Sequence, residues 1–444
     1  MAKQLFIKTF GCQLNEHDTE KIAGVLSNLG YSLTDTPDNA DMIILNTCSV
    51  RDKAEYKCYS DIGRLRELKK KNPGLVIGVG GCVAQQEGER IVEKSPYVDI
   101  VFGTDNIADI PKLLERKNEK SKGAVSTERR RKRLSSKMDT VSTLPMVRNH
   151  PVKAYVNIVD GCDKFCTFCV VPHTRGRERS RQPEDICSEI RAIVPAGYKE
   201  VTLLGQNVDS YGKDLGDNVD LADLLHMIND IQGIKRIRFI TSHPADFNDK
   251  LIDAMVKLSK VCEHLHLPLQ SGSDVVLERM KRNYTYSEYR DKIKRLREAI
   301  PDVSITTDII TGFPGETEYD FNKTIEALEE LRYDYIFAFK YSKRPYTPAR
   351  VYDDHVPHEI GRERLNKVLD IQESITVAKN KACIGREFDI LIEGESKKDK
   401  GNLTGRTRGN KIVHITKEEG ISVGDILTVR IASATLASLK GEVI

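Results

Sequence analysis

The sequence predicts an α/β protein with a Rossmann-like N-terminal domain, a partial (β/α)6 barrel and a small all-β barrel at the C-terminus. Short apolar runs alternate with amphipathic stretches in the first part, and six strand-then-helix repeats form the middle. The end consists of β-branched segments separated by glycines. We therefore expect domains at residues 1–118, 148–378 and 380–444, with a basic linker at 119–147.

The length and composition of the chain limit the class of protein, but the overall charge does not identify a binding partner. The 444 residues exceed one ordinary core, and 69 basic against 66 acidic residues give a net charge of only +3. The five consecutive cations at 129–133 suit either a solvated linker or a nucleic-acid contact. The N-terminus lacks a signal-like pattern and no long apolar run follows, so we expect a cytoplasmic protein without membrane contact.

Three apolar runs in the N-terminal domain each end in a cysteine, at Cys12, Cys48 and Cys82. Because ligands bind at the carboxyl ends of strands in open α/β sheets, these distant thiols could meet at a metal centre. The alternative is that they are small buried side chains, the usual fate of cytosolic cysteines. A glycine before Cys12 and Cys82 favours the metal centre, since glycine permits close approach to a ligand. The remaining cysteines are interpreted as core residues: Cys58, Cys187, Cys262 and Cys383.

The stretch GCDKFCTFC at 161–169 carries the strongest motif, with cysteines at 162, 166 and 169. Thiolates at this CxxxCxxC spacing can bind one 4Fe–4S cube and leave its fourth iron open to another ligand. Structural zinc would require a fourth ligand nearby, and a disulfide would leave one thiol over. The motif follows the first predicted barrel strand. The six strands are Ala154–Val159, Glu200–Leu204, Arg236–Thr241, His264–Leu269, Ser304–Ile310 and Tyr335–Tyr341.

Polar residues follow the other barrel strands, where the active groups of such barrels lie. Turn chemistry could explain any one of them, but their shared position argues for a common pocket. In the C-terminal barrel, the basic run at 405–411 is interpreted as a turn that suits phosphate contact, with a solvated hairpin as the alternative. The predicted strands there are Phe388–Glu393, Lys411–Ile415, Asp425–Ile431 and Ser438–Ile444.

The chain resembles the methylthiotransferases of the radical S-adenosylmethionine superfamily over essentially its full length. Within that family, the runs Leu204–Val208 and Thr241–Pro244 look most like the members that modify tRNA. His173 stands where the family suggests tyrosine, and Val83 where methionine is frequent; both changes could affect substrate fit and leave the cysteines intact. The other matching motifs are Gly11–Asn15, Asn46–Arg51, Gly81–Cys82, Cys169–Pro172 and Thr174–Glu178.

The resemblance implies two 4Fe–4S clusters, an auxiliary one on Cys12, Cys48 and Cys82 and a radical one on the CxxxCxxC cysteines. It implies S-adenosyl-L-methionine, used twice per turnover, and identifies the C-terminal barrel as a TRAM domain that binds RNA. The implied partners are a tRNA anticodon stem-loop, an electron donor such as flavodoxin or ferredoxin, and iron–sulfur assembly proteins. The implied contacts to S-adenosylmethionine are Gly205, Gln206, Ser242, Gln270, Gly312 and Glu316.

The members that these two runs resemble most add a methylthio group to carbon 2 of an adenosine that already carries an isopentenyl group, at position 37 of tRNA, next to the anticodon. The unreactive carbon–hydrogen bond at that carbon explains the use of radical chemistry. Sister enzymes act on threonylcarbamoyladenosine or on an aspartate of a ribosomal protein, and remain an alternative. A non-catalytic RNA-binding redox sensor is a second alternative. A sensor would not need a pocket for S-adenosylmethionine in the loops that follow the barrel strands.

Overall fold

The computed structural model describes residues 2–49, 52–119, 123–129, 144–216 and 218–444. Positions 130–133 of the basic run, and Val50 and Arg51, lie outside these ranges. The chain divides into two compact units, the first comprising residues 1–149, 160–163 and 169–181 and the second comprising 150–159, 164–168 and 182–444. Among the described residues, no helix is long and apolar enough to cross a membrane.

The first unit contains a six-stranded parallel sheet in the order β2-β1-β3-β4-β5-β6. The first five strands have the flavodoxin-like order, whose ligand crevice lies between β1 and β3, where the strand order reverses. The predicted Rossmann-like domain is therefore confirmed. Its elements are β1 (Lys3–Thr9), α1 (Gln13–Ser27), β2 (Tyr31–Leu33), β3 (Met42–Thr47), α2 (Asp52–Lys71), β4 (Val76–Gly81), α3 (Cys82–Glu87), α4 (Glu89–Lys94), β5 (Ile100–Phe102), α5 (Ile110–Glu119) and β6 (Ala124–Ser126).

Two parts of the expected linker at residues 119–147 make contacts with the first sheet and its helix α1. Ala124–Ser126 pairs with β5 as the sixth strand, and Val147 donates a backbone hydrogen bond to the Glu20 carbonyl. A Cβ on Gly24 would lie 1.9 Å from the Pro145 carbonyl oxygen, so the chain after the basic run crosses directly over α1. The sequence did not indicate this packing, because it is made by backbone hydrogen bonds and by a backbone contact with a glycine. Neither kind of contact requires apolar side chains at regular spacing.

The second unit contains all six predicted barrel strands, most of them ending within two residues of the expected positions. They form two three-stranded parallel sheets, β7-β10-β11 and β12-β13-β14, joined by a bridge between Ile237 and Val261. Helices between successive strands complete the partial (β/α)6 barrel. The elements, with the short ones at its cysteine loop, are β7 (Lys153–Asn157), β8 (Val159–Asp160), α6 (Val171–Thr174), β9 (Arg179–Ser180), α7 (Pro183–Ile193), β10 (Glu200–Leu204), α8 (Leu221–Asn229), β11 (Arg236–Phe239), α9 (Asp249–Lys257), β12 (His264–His266), α10 (Asp274–Arg279), α11 (Tyr286–Ala299), β13 (Ser304–Thr311), α12 (Glu318–Leu331), β14 (Tyr335–Lys340) and α13 (His358–Lys381).

The C-terminal part of this unit is a closed five-stranded barrel in the order β15-β16-β17-β19-β18. One strand, β16, was not predicted, because the basic run at 405–411 was assigned wholly to a turn. In the structure Gly405, Arg406 and Thr407 belong to β16, which pairs with both of its neighbours. The strands are β15 (Glu387–Glu395), β16 (Asn402–Thr407), β17 (Ile412–Thr416), β18 (Ile426–Ala434) and β19 (Leu439–Val443).

The basic turn after β16 contacts the amino ends of the (β/α)6 barrel strands. Arg238 donates hydrogen bonds to the carbonyls of Thr407 and Arg408, at 2.7 and 2.6 Å. Arg408 forms an ion pair with Glu263 at 2.7 Å, and Lys411 forms one with Asp334 at 3.0 Å. These cations therefore serve contacts within the unit, an arrangement that neither the phosphate-contact nor the solvated-hairpin interpretation foresaw.

Candidate active site

The three N-terminal cysteines lie at the carboxyl ends of adjacent strands of the first sheet. Cys12 follows β1 and begins α1, Cys48 follows β3, and Cys82 directly follows β4. Two of them thus flank the crevice at which the strand order reverses. The sequence-based expectation that these distant residues come together is supported by the hydrogen bond between the Cys12 and Cys48 side chains.

Glycines allow the cysteine loops to approach one another this closely. Gly11 has φ +107°, and a Cβ there would lie 2.3 Å from the Cys48 Cβ. Gly81 has φ +89°, and its Cβ would lie 2.4 Å from the Thr47 carbonyl oxygen. Both positions exclude larger residues through sterics and through backbone conformation.

Asn15 fixes two of these loops with one buried amide group. Its Nδ2 donates hydrogen bonds to the carbonyls of Phe10 and Thr47, at 2.9 and 2.8 Å. These carbonyls lie just before Cys12 and Cys48, so the side chain sets the spacing of the two thiols. Because both acceptors are buried, loss of the donor would leave them unsatisfied, at a cost of about 1–3 kcal/mol for each.

Arg175 supplies positive charge beside these thiols. Its guanidinium is 6% exposed and donates hydrogen bonds to Asp18 at 2.6 Å and to Asn15 at 3.3 Å. The hydrogen bond from Cys48, with help from Arg175, lowers the pKa of Cys12 to about 6, although burial opposes the shift. Burial raises the pKa of Cys82, while Arg175 favours its thiolate. The lowered pKa favours the thiolate form of Cys12, which is the form that binds metal.

No three Cys, His, Asp or Glu side chains in the described part of the chain already form a metal-binding set. The N-terminal cysteines nevertheless fit an iron–sulfur cluster by their donor chemistry. They provide three neighbouring sulfurs, one of them with a lowered pKa, and a buried cation that can offset the charge of a thiolate-bound cluster. The assignment of Cys12, Cys48 and Cys82 as ligands stays a prediction.

The CxxxCxxC loop is divided between the two units, with Cys162 and Cys169 in the first and Cys166 in the second. In the second unit, Thr167 anchors the loop by a backbone hydrogen bond to the Met280 carbonyl and a side-chain one to the Arg279 carbonyl. Phe165 has φ +50°, a conformation that is uncommon outside glycine and that occurs often at functional sites.

Arg282 contacts the sulfur of Cys166 from a buried position. Its Nη1 lies 3.4 Å from the Cys166 Sγ, and its Nη2 donates to the Pro268 carbonyl at 3.0 Å. The side chain is buried, at 4% exposure, and lies over the ring of Tyr284. A buried guanidinium that donates to the sulfur suits a thiolate better than a neutral thiol, so this environment also fits an iron–sulfur cluster.

Asp246 connects the cysteine loop to the ends of the neighbouring strands. It accepts hydrogen bonds from Lys164 in the loop, from Lys213 and from Asn207, at 2.6–2.8 Å. Burial opposes ionisation of this carboxyl, but these hydrogen bonds dominate and lower its pKa to about 2. The lowered pKa favours the ionised form of Asp246, which holds Lys164 in place.

The predicted S-adenosylmethionine contacts lie after their strands as expected, but several of them bind other protein groups. Gly205 is required sterically, because a Cβ there would lie 2.4 Å from Val159. The Ser242 hydroxyl donates to Asp209 at 2.8 Å, and burial raises the pKa of that carboxyl to about 7. Gln206 is partly buried in the loop after β10.

Gln270, Gly312 and Glu316 differ in how available their polar atoms are. Gln270 has φ +72°, is 7% exposed, and its side-chain oxygen has no hydrogen-bond partner among the described residues, as expected of a ligand contact. Glu316 instead accepts from the Gly312 N–H at 2.8 Å and from Arg364 at 2.7 Å. Burial raises the pKa of Glu316 to about 7, against the effect of Arg364. All six contacts stay predictions.

Sequence reasoning missed the supporting residues around the cysteines. Arg175 belongs to one of the motifs that match the family, but the sequence did not indicate what it does. Arg282 and Asp246 could not be found from local sequence, since their partners are distant in the chain. The two positions that depart from the family differ in burial: Val83 is fully buried and His173 is exposed. The four cysteines interpreted as core residues are all at most 5% exposed.

Three family models match the chain in the order that its architecture suggests. They are "Uncharacterized protein family UPF0004" at residues 4–103, "Radical SAM superfamily" at 156–328 and "TRAM domain" at 381–444. Solved structures support the fold alone. The radical S-adenosylmethionine methyltransferase TsrM from Kitasatospora setae covers 79% of this chain, with 75% of its own length matched, at a TM-score of 0.57 and 13% identity. The cobalamin-dependent radical enzyme OxsB covers 84%, with 56% of its own length matched, at a TM-score of 0.51 and 15% identity.

Curated relatives match from end to end. Proteins named "tRNA-2-methylthio-N(6)-dimethylallyladenosine synthase" are 45% identical in Clostridium botulinum and 46% in Clostridium beijerinckii, each over 99% of this chain and 96% of the relative. One from a Thermoanaerobacter species is 46% identical over 99% of this chain and 92% of the relative.

The barrel, its cysteine loop and the family match define a radical S-adenosylmethionine enzyme with a C-terminal TRAM domain. This superfamily uses a 4Fe–4S cluster together with S-adenosylmethionine. The chain belongs to the tRNA-2-methylthio-N(6)-dimethylallyladenosine synthase family of methylthiotransferases.

Proposed function

We propose that the protein adds a methylthio group to carbon 2 of isopentenyladenosine at position 37 of tRNA. The observation that carries the proposal is the joint presence of two cysteine sets in a chain that matches tRNA-2-methylthio-N(6)-dimethylallyladenosine synthases throughout. Cys12, Cys48 and Cys82 would hold an auxiliary 4Fe–4S cluster. Cys162, Cys166 and Cys169 would hold the cluster that, with S-adenosylmethionine, supplies a carbon-centred radical.

The protein's own groups bind and orient these components. Asn15 and Gly11 set the spacing of the first cysteine set, and Arg175 offsets its negative charge. In the second unit, Arg282 donates to Cys166, and Asp246 holds Lys164 of the same loop. Gln270 offers a buried oxygen to the methionyl or nucleoside part of S-adenosylmethionine. Each proposed cluster has three cysteines, which leaves one iron free to bind a second ligand.

We assign residues 1–118 to the auxiliary-cluster domain, 148–378 to the radical core and 380–444 to RNA binding, with 119–147 as their connection. Two S-adenosylmethionine molecules would be used per turnover, one for the methyl group and one for the radical. The proposed partners are the tRNA anticodon stem-loop, a flavodoxin- or ferredoxin-type electron donor and iron–sulfur assembly proteins, in a cytoplasmic setting.

Anaerobic turnover on a synthetic anticodon stem-loop tests the proposal. The reconstituted enzyme, a reductant and S-adenosylmethionine should convert the isopentenylated RNA to its methylthio product, detected by mass spectrometry of the nucleosides. Stem-loops with unmodified adenosine and with threonylcarbamoyladenosine serve as matched substrates. Product from the threonylcarbamoyl RNA alone would move the assignment to the sister enzymes, and cluster reduction without 5′-deoxyadenosine or product would favour a sensor.

A further inference from the structure

The sheet β12-β13-β14 carries a polar and aromatic patch on the face opposite the hydrophobic core, and none of the contacts above involves it. We define the patch as His266, Thr306, Asp308, Tyr335 and Phe337. Strand register places His266 beside Thr306, Thr306 beside Tyr335, and Asp308 beside Phe337, so all five share one face of the sheet. Ile305 and Ile309, which flank Thr306 and Asp308 along β13, point to the opposite face and are fully buried in the core.

Aromatic rings in the patch are unusually open to solvent. Tyr335 is 50% and Phe337 40% exposed, and both lie on β14, the edge strand of this sheet. Their rings meet edge to face at 5.2 Å, and Phe337 meets the His266 ring at 5.7 Å. Exposed rings that line one face beside polar groups are typical of sites that bind a nucleic-acid base by stacking.

The polar groups present one donor beside one acceptor. The Thr306 hydroxyl lies 2.9 Å from His266 Nδ1 and 3.5 Å from His264 Nε2. We assign its proton to the shorter contact, which leaves the ring proton of His266 on Nε2. Nε2 lies 3.6 Å from the Asp308 carboxylate oxygen, too far for a hydrogen bond. An N–H donor and a carboxylate acceptor thus lie side by side, each able to bind an atom of a ligand.

This pair is complementary to the Hoogsteen edge of adenine, which presents the N7 acceptor beside an N6–H donor. An N6-isopentenyl group leaves one N6–H in place. Guanine is disfavoured, because its O6 acceptor would face the Asp308 carboxylate. Carbon 2 lies on the opposite side of the purine ring, so a base bound in this way presents carbon 2 away from the patch.

We propose that the β12–β14 patch binds the target adenine of the RNA, with His266 donating to N7, Asp308 accepting from N6–H, and Phe337 and Tyr335 packing on the ring and its prenyl group. This proposal rests on the proposed function, because the base that the patch binds is the adenine that the proposed reaction modifies. The residues position the base and take no part in bond making.

A single-atom change in the RNA tests the His266 contact. A stem-loop that contains N6-isopentenyl-7-deazaadenosine replaces N7 by C–H and keeps carbon 2 unchanged. With the unaltered enzyme, kcat/KM for methylthiolation should fall about 10-fold or more on this RNA. With His266→Ala, kcat/KM on the natural RNA should be reduced similarly, and the deaza substitution should cause little further loss, since the same hydrogen bond is already absent.

Asp308→Leu and Phe337→Ala should weaken RNA binding and turnover, while the iron content and 5′-deoxyadenosine formed without RNA stay normal. Tyr319→Ala, at a 71% exposed ring on α12, is the matched control and should behave as the unaltered enzyme. Equal turnover of the natural and deaza RNAs, or additive losses in His266→Ala, would overturn the assignment of the patch. Absence of any methylthiolated product from the unaltered enzyme would instead refute the proposed function.

Discussion

Two buried arginines contact the proposed cluster ligands, and they differ in how their charge is balanced. Arg175 forms an ion pair with Asp18 at 2.6 Å, so much of its charge is neutralised locally. Arg282 donates to Cys166, to a backbone carbonyl and to the Tyr284 hydroxyl, and among the described residues no carboxylate accepts a hydrogen bond from it. Since a cluster gains negative charge on reduction, Arg282 should favour the reduced form more strongly than Arg175 does at its own site.

Replacement of this arginine should therefore make the radical cluster harder to reduce. A hydrogen bond to a charged group contributes about 1.5 kcal/mol, which corresponds to about 60 mV for a one-electron couple. Arg282→Gln should lower the reduction potential by about that amount, measured by redox titration followed by EPR. Arg295→Gln, whose side chain pairs with Asp249 at the surface, is the control. An unchanged potential in Arg282→Gln would show that the contact only supports the fold.

Gly11 gives a second residue-scale prediction, because its surroundings forbid a side chain. Gly11→Ala would place a Cβ 2.3 Å from the Cys48 Cβ, and should push apart the loops that carry Cys12 and Cys48. We expect about half of the iron to be lost on purification, since only one of two 4Fe–4S clusters is affected. Gly30→Ala is the matched control: Gly30 also has positive φ, at +82°, but nothing lies within 4 Å of its Cβ position. Equal iron content in the two variants would contradict the steric argument.

At the scale of elements, the turn between β16 and β17 joins the small β-barrel to the amino ends of the (β/α)6 strands. Arg236 and Arg238, both at most 5% exposed, donate hydrogen bonds to backbone carbonyls of the β-barrel, and Arg238 also forms an ion pair with Glu200. Removal of residues 381–444 would leave these guanidinium groups without most of their acceptors. Truncation should therefore destabilise the larger barrel, and it is a poor test of RNA binding.

Point variants separate the two roles of the small barrel. Arg408 is engaged by Glu263, whereas Lys397, Lys398 and Lys400 are exposed on the β15–β16 loop. Phosphate contacts release counterions, so the salt dependence of tRNA binding reports which cations touch RNA.

Arg408→Gln should leave the slope of log Kd against log salt unchanged and lower the unfolding midpoint. Joint replacement of the three lysines by Gln should flatten the slope by up to about 2 if they contact single-stranded phosphates. If Arg408→Gln alone changed the slope of log Kd against log salt, Arg408 would have to give up its ion pair with Glu263 and contact RNA instead.

At the scale of the whole molecule, the sequence predicted what depends on local pattern. The β-branched runs located the strands, and the glycines before Cys12 and Cys82 marked the loops that meet. The strand β16 was not predicted, because Gly405 and the neighbouring arginines interrupt the alternation of apolar and polar residues expected of a strand. The contact of Arg282 with Cys166 and the β12–β14 patch were not predicted for another reason. Both depend on contacts between residues far apart in the chain, and a local sequence pattern carries no information about such contacts.

The two cysteine sets should be separable in one experiment on the whole protein. The reconstituted enzyme should hold about eight irons in two 4Fe–4S clusters. Combined Ala replacement of Cys162, Cys166 and Cys169 should leave about half of that iron and abolish 5′-deoxyadenosine formation. Replacement of the other set should also leave about half, yet retain 5′-deoxyadenosine formation without methylthiolation. That set is Cys12, Cys48 and Cys82.

Joint Ala replacement of the buried cysteines Cys58, Cys262 and Cys383 is the matched control, because it removes three thiols without touching either proposed cluster. It should keep the full iron content and both activities. If either cysteine set alone lost all the iron, the clusters would not be independent. If methylthiolation survived without Cys12, Cys48 and Cys82, the auxiliary cluster would have no part in sulfur transfer, and the three sulfurs beside Arg175 would need another explanation.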